Sequence, residues 1–413
     1  MESKAGERGL RIVETIKDRV AIIGMGCTTF AEHYDKSVAD LVIEACFEAF
    51  EDAKVDPDDI PAGWIGTVNS GGTGQILTRP IKEFQYKKVT HNENGNATGL
   101  DALKCAAYGV ASKVYDIVLA VGVEKTKQAG QRGLPNMSVT GSTHWGLYQS
   151  MAGANPTIRP MGQYAQLATR YFARYGLSPE DGKRVLAMIS VKSHHNGALN
   201  PKAYFQRDVT LEEVMNAPIL AWPLGIFDSC ALTDGCTAAI VVRAEDAKSF
   251  RPDPVYIKAL EYSTGSEDLI RSDYDFTHIE DSYLAGRKAY EVAGIKAPRE
   301  EISLAEVDDC LSISELISLE DLQLSPRGKV KEDIEAGFFT LEGKLPVQPD
   351  GGMKCFGHPI GASGLRQVYE IYLQLQGRAG PRQLKEPKLG LAHIAGGLLE
   401  PAAADSACGI FGI

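Results

Sequence analysis

The sequence predicts an α/β fold, because strand and helix patterns alternate, the strands are apolar throughout, and the second half of the chain repeats the first. Residues 20–24 and 116–123 are continuous apolar runs with the composition of strands buried on both faces. Between them, residues 36–53 carry apolar side chains at helical spacing. Such alternation is typical of a sheet covered by helices.

The repeat is visible at two helix starts. Residues 95–100 and 361–365 both combine glycine with a hydroxyl side chain, and each segment is followed by a helical pattern and then an apolar strand. Glycine and Ser/Thr are common at helix starts, so chance likeness is the alternative explanation. Two related halves explain the match more economically. We therefore expect α/β halves over residues 20–250 and 251–413, each with a mostly parallel sheet.

A region of different composition lies inside the first half. Residues 124–225 are rich in Gly, Pro, Ser, Asn and aromatic residues and contain long helical stretches. We interpret them as an inserted loop or cap region that covers the substrate site. Residues 1–19 are charged, and we expect them to form a flexible or lightly docked extension.

Composition and charge exclude several classes of function. The formal net charge of −11 disfavours nucleic-acid binding, because that binding depends on neutralising phosphates. No apolar run approaches the ~18 residues of a membrane span, and the start lacks the apolar segment of a secretory signal. The eight cysteines are scattered without a CxxC pair. We therefore expect reduced thiols, no metal site and a cytoplasmic protein.

One segment stands out as a candidate for chemistry. Residues 351–364 read GGMKCFGHPIGASG, with small residues around His358. Glycine lets the backbone approach a ligand closely, and the proline after His358 biases that residue to extended geometry. The imidazole should then lie at a loop tip in front of a helix, where it is a candidate acid–base group. The alternative is a structural loop histidine.

This segment resembles the GHP segment of thiolases, specifically that of the sterol-carrier-type and acetyl-CoA acetyltransferase branch. Other segments resemble elements of the same branch, in the same order; they are residues 121–125, 196–204, 228–235 and 306–310. The resemblance covers about residues 20–398. It implies the thiolase fold, with two similar α/β halves in an αβαβα layered arrangement. It also implies an acyl-CoA thioester as substrate and no permanently bound cofactor.

The sequence departs from the family at the nucleophile. The family's nucleophile helix begins Glu-Asn-x-Cys-Ala-Thr/Ser-Gly, whereas residues 93–99 read ENGNATG, which puts Asn96 on the cysteine. A carboxamide cannot become a thiolate or carry an acyl-thioester. Asp308 replaces the histidine of the family's His-Asp-Cys element, and the C-terminal Cys-x-Gly is absent from residues 393–397.

Other parts of the site are retained by this resemblance. His358 remains, and we expect His358 or Asp308 to act as the base. Asn96 should still offer its main-chain N–H at a helix start, where the helix dipole favours an oxyanion. Gly396 and Gly397 are candidates for further backbone donors.

Three functions remain open at this stage. The first is C–C bond chemistry without a cysteine nucleophile, as retro-aldol or other enolate chemistry on a β-hydroxyacyl- or β-ketoacyl-CoA; decarboxylation is a close variant. The second is ordinary thiolase or acyltransferase chemistry with Cys355 or Cys310 as a substitute nucleophile. The third is a catalytically silent scaffold subunit.

The resemblance also implies partners and a setting. Members of this branch commonly pair with a small zinc-ribbon/OB-fold protein that helps to hold CoA, and thiolases are at least dimers. We therefore expect a homodimer with such a partner subunit, in lipid or aromatic degradation. The acyl group is not predicted.

Overall fold

A computed structural model of the chain describes residues 15–126, 161–265, 274–399 and 403–413. Its strands are β1 (Val20–Cys27), β2 (Ala62–Gly66), β3 (Lys88–Asn92), β4 (Ile117–Glu124), β5 (Ile219–Ala221), β6 (Leu224–Gly225), β7 (Gly235–Arg243), β8 (Val255–Thr264), β9 (Leu304–Glu306), β10 (Leu389–Leu399) and β11 (Ala403–Gly412).

Helices cover both faces of the main sheet. They are α1 (Val38–Ala53), α2 (Gln75–Thr78), α3 (Thr98–Ala111), α4 (Met161–Tyr175), α5 (Pro179–Ala198), α6 (Leu211–Met215), α7 (Ala247–Phe250), α8 (Glu280–Ala293), α9 (Pro298–Glu301), α10 (Ser312–Asp321), α11 (Val330–Glu335), α12 (Gly352–Cys355) and α13 (Ile360–Leu375). Within the described ranges, no helix is long and apolar enough to cross a membrane.

Local signals define the ends of the first long helix. The Ser37 side chain accepts a hydrogen bond from the main-chain N–H of Asp40, and Asp40 accepts one from the main-chain N–H of Ser37. This reciprocal pair satisfies two N–H groups that the helix start would otherwise leave without partners. Lys54 ends α1 in the left-handed conformation.

Nine strands form one mixed sheet in the order β3-β2-β4-β7-β1-β8-β11-β10-β9. Only the pairs β2–β3, β2–β4 and β9–β10 are parallel in this sheet, and the remaining pairs are antiparallel. The prediction of mostly parallel sheets is therefore wrong. A strand that is covered by helices on both faces is apolar throughout whichever direction its neighbours run, so composition alone did not reveal the antiparallel pairs.

The layered α/β arrangement is confirmed. Helix α1 packs on β1 and β7 on one outer face, and α8 packs on β8 and β11 on the other. Helices α3 and α13 lie between the two halves and contact each other as well as the sheet. Three buried apolar clusters match these layers, with the central one formed by α3, α13 and the strands beside them.

The starts of α3 and α13 approach each other very closely. A Cβ atom on Gly99 would lie 2.9 Å from the main-chain nitrogen of Leu365, and one on Gly361 would lie 2.6 Å from the carbonyl oxygen of Val123. Glycine is required at such contacts because any side chain would displace backbone. The two segments that repeat in the sequence thus meet at the centre of the molecule.

The described part of the predicted cap, residues 161–225, packs on the C-terminal half. Helix α5 contacts α10, α11 and α12. The Asn196 and Asn200 side chains donate hydrogen bonds to the carbonyl oxygens of Gln348 (2.8 Å) and Asp350 (3.0 Å). These bonds support the loop that leads to His358. Residues 127–160 of the predicted cap lie outside the described ranges, so the cap assignment stays a prediction.

Candidate active site

His358 lies directly before α13, as predicted, but its side chain is only 2% exposed. Its main-chain N–H donates to the carbonyl oxygen of Ala231 at 2.8 Å. Burial, together with the positive charge of Arg366, lowers the pKa of His358 to about 3. The imidazole is therefore neutral at pH 7, which is the form that can accept a proton.

Ser363, one turn into α13, fixes the orientation of this ring. The distance from His358 Nδ1 to Ser363 Oγ is 2.8 Å, and Ser363 Oγ donates its proton to the carbonyl oxygen of Pro359 at 3.0 Å. Because a serine hydroxyl has one proton, Nδ1–H must be the donor to Ser363. The lone pair of the ring is then on Nε2.

Two cysteines lie beside His358. The Sγ atoms of Cys230 and Cys310 are 3.5 Å apart, and these sulfurs and a ring nitrogen of His358 all lie within 4.8 Å of one another. The main-chain N–H of Cys230 donates to the carbonyl oxygen of Cys310 at 2.8 Å, which joins the two segments. Cys310 is buried, whereas Cys230 is half-buried. A thiol pair therefore faces the candidate base.

Asp308 is held by main-chain groups on both sides. Its two carboxylate oxygens accept from the N–H groups of Cys310 and Ala395, each at 3.2 Å. Burial, with a contribution from the charge of Asp309, raises the pKa of Asp308 to about 6. These bonds tie the loop that carries Cys310 to β10, an arrangement typical of a positioning group.

Asn96 lies in the turn before α3 and is half-buried. Its side-chain Nδ2 donates to the carbonyl oxygen of Ala395 at 3.0 Å. The same residue, Ala395, donates its N–H to Asp308. Asn96 and Asp308 therefore both bond to the main chain of Ala395 in β10, and the side chain predicted to stand in place of the family's cysteine has a structural partner there.

Gly396 and Gly397 follow on the same strand. A Cβ atom on Gly396 would lie 2.4 Å from the main-chain nitrogen of Asn96, so only glycine fits at this contact. The predicted role of both glycines and of Asn96 as oxyanion donors stays a prediction.

Cys355, the other predicted substitute nucleophile, is not part of the thiol pair. It is fully buried in α12, where a Cβ atom on Gly197 would lie 2.5 Å from its own Cβ. Burial raises the pKa of its thiol well above the usual value. Cys310 is the better placed of the two predicted cysteines, because its Sγ lies within 4.8 Å of a ring nitrogen of His358.

A network of buried charged side chains joins the segments around His358. The buried guanidinium of Arg366 donates to Glu306 at 2.6 Å and to Asp350 at 2.5 Å. Asp309 accepts from the N–H groups of Met353 (2.7 Å) and Lys354 (3.2 Å) at the start of α12. Buried charges need such partners, and here the pairs join the loops of Cys310 and His358.

Sequence reasoning missed three residues of this site. All three lie in segments that the sequence analysis singled out, but no pattern assigns a role to the side chains of Cys230, Ser363 and His393. The folded chain places Cys230 and Ser363 beside His358, and His393 beside Asp308. His393 is buried, accepts from the main-chain N–H of Asp308 at 3.4 Å on Nδ1, and lies 3.0 Å from Ser282 Oγ through Nε2. The histidine at the start of the divergent C-terminal segment was the one available signal.

Family models match two long stretches of the chain. Residues 20–245 match "Thiolase, N-terminal domain", and residues 264–405 match "Thiolase C-terminal domain-like". An acetyl-CoA acetyltransferase of Methanothermobacter thermautotrophicus is 34% identical over 383 residues, covering 92% of this chain and 96% of the relative. Sterol carrier protein 2 of Homo sapiens is 30% identical over 390 residues, covering 92% of this chain and 70% of the relative.

Solved structures share the fold. One named "Ltp2-ChsH2(DUF35) aldolase" superposes with a TM-score of 0.82 at 24% identity, and the match covers 96% of this chain and 98% of that chain. Because the family models and relatives extend over both halves of the chain, the protein belongs to the thiolase superfamily, in the branch of acetyl-CoA acetyltransferases and sterol carrier protein 2, and it is an enzyme of that superfamily.

Proposed function

We propose that the protein makes or breaks a C–C bond in an acyl-CoA thioester without forming an acyl-enzyme at position 96. The reaction we favour is retro-aldol cleavage of a β-hydroxyacyl-CoA, or the related enolate chemistry on a β-ketoacyl-CoA. One observation carries this proposal: His358 is oriented and neutral, while the place of the family's nucleophile is taken by Asn96, whose side chain bonds to Ala395.

A retro-aldol cleavage needs only the groups that remain. A base accepts the proton of the β-hydroxyl group, the Cα–Cβ electron pair moves to Cα, and a carbonyl product leaves. The thioester enolate is then reprotonated at Cα. We assign the base to Nε2 of His358, because Nδ1–H is committed to Ser363. We assign Asp308 to positioning, because both of its oxygens accept main-chain N–H groups.

The comparisons support this proposal in a general way. The curated relatives act, by their names, as acetyl-CoA acetyltransferases or sterol carriers, and one fold neighbour is named an aldolase. Claisen and aldol chemistry share the thioester enolate. A thiolase site without its nucleophile therefore keeps the groups that an aldol cleavage needs.

A second candidate function is acyl transfer with a substitute nucleophile. The observation that favours it is the position of Cys310, whose Sγ lies within 4.8 Å of a ring nitrogen of His358. A histidine base beside a thiol is the usual arrangement for activating cysteine. This function predicts a covalent acyl-enzyme on Cys310.

Intact-protein mass spectrometry with a panel of β-hydroxyacyl-, β-ketoacyl- and saturated acyl-CoA esters tests both functions. We expect products of C–C cleavage and no acyl adduct on the wild-type chain. The matched control is Asn96→Cys, which returns a thiol to the turn before α3 and should gain an adduct at that position. An adduct on Cys310 would make acyl transfer the correct function. Absence of turnover and of adducts would favour the silent scaffold.

We also propose a partner subunit, on the support of one comparison. The aldolase neighbour is named together with a second component, ChsH2(DUF35). The resemblance to thiolases predicts a small zinc-ribbon/OB-fold subunit and a homodimer. Copurification from the native source, followed by light scattering, tests both, and a lone monomer of 44.6 kDa would contradict them.

A further inference from the structure

The thiols and the imidazole at the candidate site form a set of metal-ligand atoms. Cys230 Sγ, Cys310 Sγ and a ring nitrogen of His358 lie within 4.8 Å of one another, and this is the only such group of three among the residues that the structure describes. Cys230 and Cys310 are 80 positions apart along the chain, and Cys310 and His358 are 48 apart, so the three residues do not form a recognisable ligand motif in the sequence. The absence of CxxC pairs led us to expect no metal site.

The spacing of these atoms suits a tetrahedral ion. Bonds of about 2.3 Å to sulfur and about 2.1 Å to nitrogen place neighbouring ligand atoms roughly 3.3–3.8 Å apart. The two sulfurs are already 3.5 Å apart. The widest separation in the set, at most 4.8 Å, needs a movement of about 1 Å, which a small rotation about a cysteine χ1 within its rotamer well supplies.

The second shell also matches that of a metal site. A ligating histidine usually donates its other ring N–H to a protein acceptor, which fixes the tautomer and aims the free nitrogen. His358 does this through Nδ1–H to Ser363 Oγ at 2.8 Å. Main-chain bonds of 2.8 Å, from Cys230 to Cys310 and from His358 to Ala231, hold the three ligand segments together.

We propose that Cys230, Cys310 and His358 bind one thiophilic divalent cation, with Zn²⁺ as the test ion, at the candidate active site. Two thiolates and an imidazole are soft ligands that favour zinc over magnesium or calcium. Binding converts both thiols to thiolates and releases two protons to solvent. Three protein ligands leave the fourth position open to water or to a substrate oxygen.

Bound metal would occupy the lone pair of His358. An activity that depends on this base should therefore fall when zinc is added and recover when a chelator removes the ion. This arm rests on the proposed function, whereas direct binding does not. Binding without inhibition would separate the metal site from the proposed role of His358.

The test uses untagged full-length protein, kept metal-free in a phosphine reductant so that the thiols stay reduced. Titration with Zn²⁺ against a chromophoric chelator should give one site per chain with Kd below roughly 1 µM at neutral pH. Co²⁺ should give a thiolate-to-metal charge-transfer band. Cys230→Ser, Cys310→Ser and His358→Ala should each raise Kd at least roughly tenfold, and Ser363→Ala should raise it roughly 10–100-fold.

Cys105→Ser is the matched control, because Cys105 is partly exposed and lies outside the cluster. It should bind as the wild type does. Equal binding by Cys230→Ser and the wild type, or an ion without a thiolate band, would mean an adventitious ion only and overturn the proposal. If Cys310→Ser does not fold, the half-buried Cys230 still decides the matter.

Discussion

The turn before α3 and the loop before α13 carry the two similar segments of the sequence and meet at the centre of the molecule, but they hold different side chains. The loop before α13 keeps a neutral imidazole that Ser363 orients. The turn before α3 carries Asn96, whose amide bonds to the carbonyl oxygen of Ala395. On the proposed function, His358 is the acid–base group of the site, while the side chain at position 96 makes a structural hydrogen bond.

The packing around the starts of α3 and α13 explains how the side chain at position 96 can change without altering the loop that carries His358. Gly99 lets the starts of α3 and α13 pack directly on each other, and Gly361 lets the start of α13 approach β4 and the end of β2. Glu124 accepts a hydrogen bond from the N–H of Gly361 at 3.3 Å. These contacts depend on backbone and on glycine, not on the side chain at position 96. A change of side chain at position 96 can thus leave the geometry around His358 unaltered.

The largest expected effect is on catalysis, at His358. His358→Ala should lower kcat by roughly 10²–10⁴-fold, the usual range for a positioned acid–base group. Steady-state kinetics with the CoA ester that the panel identifies measure this. His195→Ala is the control, because His195 is exposed and pairs with Asp208 on the surface. Near-full activity of His358→Ala would place the catalytic centre elsewhere.

The next effect is on stability, at the close contact between the start of α13 and β4. In Gly361→Ala, the new Cβ would lie 2.6 Å from the carbonyl oxygen of Val123 and 2.9 Å from Cα of Thr67, both of them backbone atoms. We predict a loss of about 2–3 kcal/mol in the free energy of unfolding, since backbone must move to make room. Gly72→Ala is the control, because nothing lies within 4 Å of its Cβ position. Urea midpoints of both variants measure the difference, and equal midpoints would contradict the close approach.

Glu124 connects the start of α13 to the loop after β2. Its carboxylate is fully buried and accepts hydrogen bonds from four groups of that loop in addition to Gly361; they are Thr67 Oγ1, Val68 N, Asn69 N and Ser70 Oγ. In Glu124→Gln, an NH₂ group would face donors, so we predict a loss of about 1–3 kcal/mol in stability. Glu245→Gln, on an exposed side chain, should be neutral in the same urea titration. A neutral Glu124→Gln would show that water replaces these bonds.

The sequence predicted more of the fold than of the site. Alternation of apolar strands and helices was sufficient for the α/β class, and the resemblance to thiolases predicted the layered arrangement. The glycine-rich segment before Pro359 located His358. Strand direction was not predictable, because a buried strand has the same composition beside either kind of neighbour. Cys230 was missed because its contact with Cys310 spans 80 residues of the chain, and Ser363 because no sequence pattern shows which ring nitrogen of His358 it contacts. The expected part of Asp308 as a base is weakened by the main-chain bonds to its carboxylate, which no sequence pattern reveals.

The smallest expected effect is at Asn96, and it is the most informative for the comparison between the turn before α3 and the loop before α13. Asn96→Ala keeps the main chain of the turn and removes the hydrogen bond from Nδ2 to the carbonyl oxygen of Ala395. We predict a fall in kcat of less than about tenfold and a loss of about 1 kcal/mol in stability, the usual net value of such a bond. Kinetics and urea titration on the same preparation measure both quantities. A fall in kcat as large as that of His358→Ala would mean that the carboxamide itself takes part in the reaction, so that Asn96 would be a catalytic replacement for the cysteine and not a structural one.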